Sequence, residues 1–161
     1  MTQREEVRFK VYTKSSTSLK TGEVYPLQLI DFIAGDGTYD TTNYKYIVQN
    51  AGTYLLGLSY NKKNLNNAGA SDIKVDRVVD GVTTSILINR LQENATGSFL
   101  TMGLVAMYKL EVGDELYCLS AFSNPLTNLN AYTSDDTLNS FWGIRMDYSK
   151  KLNLFFFSIF I

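Results

Sequence analysis

Along most of the chain, apolar residues alternate with polar ones in short runs separated by turn-forming residues. Val7, Phe9 and Val11 alternate with mostly charged neighbours, the period-two signature of a half-buried strand. A second apolar run, 24–33, carries Pro26, which has no amide donor and so points to a sheet edge or a strand start. It ends in the turn cluster Gly35-Asp36-Gly37. Residues 44–49 lead into the turn Asn50-Ala51-Gly52, and 53–60 form a strongly β-type stretch closed by a polar loop over 61–70. The clearest hairpin pairs 73–79 with 82–88 across Asp80-Gly81, a pair that tolerates positive φ in a two-residue I′ turn. Residues 99–110 fit two periods, because Leu100, Leu104, Met107 and Tyr108 would also line one face of a helix. After Val112-Gly113-Asp114 a strand-like run covers 115–122, broken by Ser123-Asn124-Pro125, and a last strand is expected over 140–148. About nine or ten short strands with regularly spaced turns predict an all-β sandwich or barrel.

Length and composition agree with one such domain. A chain of 161 residues with 45% apolar residues can bury a core without covalent staples. The single cysteine, Cys118, excludes an intramolecular disulfide or a cysteine-based zinc cluster, and its strand-like setting predicts a buried, inert thiol. Net charge is −1 with no basic stripe, so no nucleic-acid partner is expected. Residues 1–6 are polar and lack the apolar stretch of a signal peptide, which leaves localisation open: cytosolic synthesis, a virion, or secretion from a differently started chain. Asn94-Ala95-Thr96 is a glycosylation sequon, expected to be fortuitous without a signal peptide.

At the other end, Lys150-Lys151 precedes a run containing Leu152, Leu154, Phe155, Phe156 and Phe157. The run of ten residues, 152–161, is too short to span a bilayer as a helix, which needs about 20 residues. The domain is therefore read as 1–148, with 149–161 a hydrophobic tail that docks into a partner or larger assembly, touches a membrane, packs on its own domain, or is a gene end with no selected role.

Several separated motifs resemble the globular C1q domain of the wider tumour-necrosis-factor-like superfamily. Tyr39, Tyr46 and Gly52 hold that family's aromatic–aromatic–glycine spacing, and Tyr54, Leu56 and Leu58 continue its alternation. Residues 104–117, LVAMYKLEVGDELY, resemble its strand–turn–strand with a Gly-Asp pair, and Phe141-Trp142-Gly143-Ile144 resembles its Phe-Ser-Gly-Phe ending. The upstream Phe and Asn/Asp of the signature are out of register, Leu replaces later aromatics, and no collagen stalk is present. The resemblance implies a ten-stranded jelly-roll sandwich and a homotrimer. It makes Tyr39, Tyr46, Tyr54, Leu56, Leu58, Tyr117, Phe141 and Trp142 the candidates for trimer or core packing, and Gly52, Gly113 and Gly143 the expected backbone turns. Some such heads bind calcium, for which Asp36 and Asp40 would be the oxygen donors, although no EF-hand spacing is present.

The chain contains no histidine, which removes Ser-His-Asp and Cys-His catalysis and the commonest general base. The carboxylate pairs Asp36/Asp40, Asp72/Asp76 and Asp135/Asp136 mostly lie near turns or loops, where solvated Asp is ordinary. No catalytic residue, metal or cofactor is expected. The reading is a non-enzymatic trimeric head that recognises a protein or glycan ligand through loops such as 61–70 and 124–139. The alternative is a viral structural protein: a capsid, fibre-tip or decoration subunit.

Overall fold

The computed structural model describes residues 7–13, 17–19, 22–35, 37–63, 69–93, 99–122, 129–131 and 139–146. Among them are twelve strands: β1 (Arg8–Tyr12), β2 (Thr17–Leu19), β3 (Leu29–Ala34), β4 (Thr38–Asp40), β5 (Lys45–Ile47), β6 (Gly52–Lys63), β7 (Gly69–Val79), β8 (Val82–Glu93), β9 (Phe99–Leu110), β10 (Glu115–Phe122), β11 (Leu129–Ala131) and β12 (Ser140–Arg145). The count exceeds the expected ten because β2, β4, β5 and β11 are three-residue pieces. The architecture is the expected jelly-roll sandwich of two antiparallel sheets. The first runs β3-β1-β12-β6-β9, with β11 and β2 continuing beside the far end of β6; the second runs β4-β5-β10-β7-β8.

The core is set by strand parity. Phe9 and Val11 of β1, Tyr54, Leu56, Leu58 and Tyr60 of β6, and Phe141 of β12 turn inward from the first sheet. Tyr46, Ile73, Val75, Leu116 and Cys118 meet them from the second. The Phe9 ring stacks on Tyr46 with centroids 3.8 Å apart and meets Phe141 edge-on at 5.1 Å. Tyr25 meets Tyr60 edge-on at 5.2 Å. The ambiguous stretch 99–110 is a strand, not a helix. Its full-length pairing with β6 sends Leu104, Ala106 and Tyr108 toward the core and leaves Val105 and Met107 exposed. Pro26 lies outside the strands, just before β3, where the neighbouring Tyr25 amide donates to Cys118 O.

The three glycines expected in turns separate physically. Gly113 has φ +90 in the β9–β10 turn, and its amide donates to Val48 O. Gly52 and Gly143 are corrections. Gly52 is the first residue of β6, paired with Leu110, and is not in the left-handed region. Gly143 lies inside β12, where a Cβ would overlap the Phe9 ring and crowd Leu56. It is required by close packing, not by a turn. The 79–82 hairpin is as expected, with Asp80 at φ 48 and Gly81 at φ 78.

Gly143→Ala should therefore lower stability by about 1–3 kcal/mol through overpacking. Gly103→Ala is the control, because an added Cβ on that edge-strand glycine meets nothing within 4 Å. It should be neutral or stabilise by up to about 1 kcal/mol. Urea midpoints of the two variants would refute this packing account if they moved by equal amounts.

Candidate functional site

The outward faces of the two sheets differ in chemistry. Antiparallel partners project to the same side, so register alone assembles each face. On the first sheet one row reads Arg8–Ile144–Leu55–Met107, and the next reads Phe32–Lys10–Trp142–Gly57–Val105. Apart from Arg8 and Lys10, these rows are apolar. Met107 is 65% exposed, Val105 62% and Phe32 40%, while Leu55, Trp142 and Ile144 are half-buried. Gly57 lets the Trp142 indole lie flat on the sheet, since a Cβ there would overlap the ring. At the β3 edge, Arg8 stands 5.5 Å from the Phe32 ring centroid and Lys10 pairs with Asp31 at 2.9 Å.

The second sheet's outer face carries acids and bases that satisfy one another. Lys45 donates to Glu115 at 2.6 Å, and the Tyr117 hydroxyl donates to the same carboxylate at 2.8 Å. Lys74 pairs with Asp76 at 2.8 Å, Ser85 donates to Asp76 at 2.6 Å, and Arg90 forks onto Asp72 at 2.9 and 2.8 Å. The hydrogen bond from Lys45, followed by that from Tyr117, holds the Glu115 carboxyl below its ordinary range. The same bond raises Lys45, while desolvation and then the bond to Glu115 raise Tyr117.

The candidate packing residues divide accordingly. Tyr39, Tyr46, Tyr54, Leu56, Leu58 and Phe141 are buried within the single chain. Tyr117 lies in the charged network, and Trp142 faces outward on the first sheet. Leu55, Phe32, Val105, Met107 and Ile144 complete that outward face without having been singled out for it by sequence motif. Their signal is apolar residues at both parities of one strand, as in Tyr54-Leu55-Leu56 and Leu104-Val105-Ala106-Met107.

Asp36 lies outside the described residues, as do the tail 149–161, Asp135/Asp136 and much of both candidate loops. The Asp40 carboxylate accepts from the Thr42 amide, the Asn43 amide and Asn43 Nδ2, and these bonds lower its pKa. Among the described residues no three acidic, Cys or His side chains gather into a metal-binding group. Cys118 is buried, and burial pushes its thiol up, away from the reactive thiolate. The small apolar pocket it lines with Tyr25, Leu58, Tyr60 and Ile73 has room for no more than a water-sized guest.

The Gly-Asp motif is a structural site. Asp114 is 2% exposed; its carboxylate accepts from the Glu111 amide at 2.8 Å and pairs with Arg77 at 2.7 Å. Its carbonyl accepts from the Val48 amide, so one residue ties the β9–β10 turn to β7 and to the chain just after β5.

No protein-family model matches the sequence, and no curated protein matches it significantly. Solved structures do match. The Eiger tumour-necrosis-factor protein of S. frugiperda superposes with a TM-score of 0.71 at 9% identity, covering 91% of this chain and 96% of its own. The globular domain of zebrafish complement 1qA gives 0.66 at 12% identity, covering 89% of this chain and 99% of its own. Murine APRIL gives 0.65 at 12% identity, covering 88% and 99% respectively. The fold is thus C1q/tumour-necrosis-factor-like, as the motifs implied.

The Lys45–Glu115 pair sets a pH dependence whose sign follows from its shifts. A lowered Glu115 contributes stability above the unfolded carboxylate value and loses it as pH falls through its folded value. A raised Lys45 contributes below the unfolded lysine value and loses it as pH rises through its folded value. Glu115→Gln should destabilise by less than about 1 kcal/mol at neutral pH, because the pair is partly exposed. Denaturant midpoints against pH should show that deficit closing below about pH 4. A deficit constant down to acid pH would mean that charge pairing is not its source.

Proposed function

We propose that the chain is a non-enzymatic recognition and assembly head that closes into a homotrimer through the outward face of its first sheet. The observation that carries this reading is the contrast between the two outer faces. An apolar face with exposed Val105 and Met107 is left uncovered, while the opposite sheet neutralises its own charges. Extended apolar patches on soluble domains mark places that become buried in complexes.

The distribution of the patch supports a ring. Apolar residues stand at both margins of the sheet, Val105 and Met107 on the β9 edge and Leu29, Ile30 and Phe32 on the β3 edge, with Arg8 and Lys10 between. The β9 edge adjoins β8 of the second sheet, where Asn89 Nδ2 donates to Gly103 O. Two different apolar margins favour a heterologous contact, edge of one copy against face of the next, and a heterologous contact that closes gives a cyclic oligomer. The C1q-like resemblance favours a ring of three. A protein or glycan ligand would then be taken by the loops of the assembled head.

Light scattering at micromolar concentration should give three times the 18.1 kDa chain mass. Val105→Asp with Met107→Asp should reduce it to a single chain with an unchanged β-type circular dichroism spectrum. Trp142 is the only tryptophan, so its emission should shift to longer wavelength on dissociation. A wild-type chain that stays monomeric under these conditions refutes the trimer.

A further inference from the structure

A strand at the edge of a sheet carries a row of unpaired amides and carbonyls that can template the addition of another chain. Among the described residues the edge strands are β3, β9 and β2 in the first sheet, and β4 and β8 in the second. β2 and β4 are three residues long, which leaves little to pair with. β8 and β9 adjoin one another, joined by the hydrogen bond from Asn89 to Gly103. β3 has neither protection. It is six residues long, apolar at every position except Asp31, and pairs only with β1 among the described residues. Leu29, Ile30 and Phe32 are exposed along it. A flat, exposed edge of this composition is an aggregation site.

The β3 edge is interrupted, however, at one residue. Its register on β1 runs from Ala34 opposite Arg8 to Phe32 opposite Lys10, then jumps to Ile30 opposite Val11. Asp31 is the extra residue, so two residues of β3 answer one step of β1, as in a β-bulge. A bulge takes a residue out of the ladder, bends the strand and increases its local twist. The extra residue is also the only charge on the strand. Asp31 pairs with Lys10 at 2.9 Å while its side chain stays 46% exposed. The other register shift among the described pairings falls on β8, again an edge strand, where the extra residue Ile86 is buried. The interior ladders β1–β12, β12–β6 and β10–β7 run without a break. Register is thus broken at edges, and only on β3 does the extra residue present a charge to solvent.

We propose that the Asp31 bulge guards the β3 edge against strand addition by a second copy of this chain, so that copies meet through side chains and not through backbone. An incoming strand would have to pair across a step where the ladder loses register. It would also lay its own backbone beside the Asp31 carboxylate, taking water from a charge that has only Lys10 as partner. That desolvation opposes pairing even where the neighbouring apolar side chains favour contact. Leu29, Ile30 and Phe32 remain free to pack by their side chains. The guard does not rest on the trimer, because it concerns the backbone of β3 and not the outward face of its sheet.

Deletion of Asp31 in the full chain tests it, since this removes the extra residue and the charge together and lets the ladder run on in register. By light scattering, species larger than the wild type should appear at a concentration at least about tenfold lower than for the wild type. Their infrared amide I band should show intermolecular β-pairing. Asp31→Asn, which keeps the bulge without the charge, should fall between. Ile30→Lys added to the deletion puts a charge back on the edge and should return the mass to the wild-type value. A deletion variant that keeps the wild-type mass overturns the proposal, as does assembly that Ile30→Lys does not reverse. Where the deletion loses its β-type circular dichroism, Asp31→Asn decides: growth in mass supports the guard, and the wild-type mass overturns it. Asp31→Asn assembling as fully as a folded deletion variant assigns the block to charge alone and overturns the part given to the bulge. All readings are of mass beyond the wild type's own, so a monomeric wild type refutes the trimer and leaves this test intact.

Discussion

The stack of Phe9 on Tyr46 is the contact on which the two-sheet arrangement turns. It joins β1 of one sheet to β5 of the other with ring centroids 3.8 Å apart, and Phe141 closes it edge-on. Aromatic rings that close demand backbone without side chains behind them. Gly143 supplies this behind Phe9, and Gly37 behind Tyr46, where an added Cβ would overlap the phenol ring. Such a pair adds about 1 kcal/mol beyond its buried area. Its larger effect is geometric, because it sets how near β1 and β5 can lie and hence the spacing of the sandwich around them. Asp114 does the corresponding work at the sandwich end, where its carboxylate and carbonyl tie three chain segments together.

Much of this was legible in the sequence because it rests on parity. Alternation in 53–60 places Tyr54, Leu56, Leu58 and Tyr60 on one face, and all four are buried. Asp80-Gly81 states its turn in two letters, and both residues take positive φ. The β9 stretch was ambiguous because Val105 and Met107 are apolar on the outward side, which blurs a period of two into something that also fits a helix. Pairing with β6 decides that question, and pairing is a long-range fact that no local window contains. Gly143 was misassigned for a related reason. A glycine needed for a close approach looks the same in sequence as one needed for a turn, and only the ring packed against it separates them.

The outward residues were less legible, since their meaning depends on neighbours across strands. Glu115 reads as an ordinary surface acid until Lys45, far away in sequence, is seen to donate to it. Leu55 reads as a lapse in alternation until Ile144 and Met107 are found on either side. The same register that pairs charges on one sheet lines up apolar side chains on the other. One face thereby pairs its charges within the single chain, and the other leaves Val105 and Met107 exposed.

That division explains how so little sequence identity can coexist with so close a fold. The constraints that define the sandwich are few and mostly categorical: inward apolar parity, glycine behind a ring, a buried Asp in a turn, positive φ at a hairpin tip. Many residue choices satisfy them, so relatives can diverge nearly everywhere while strands keep their order. The outward rows and turn tips answer to no such packing rule, and there the chemistry is free to differ between members of one fold. An outward Trp142 laid over Gly57 is thus a choice that inward parity alone does not dictate.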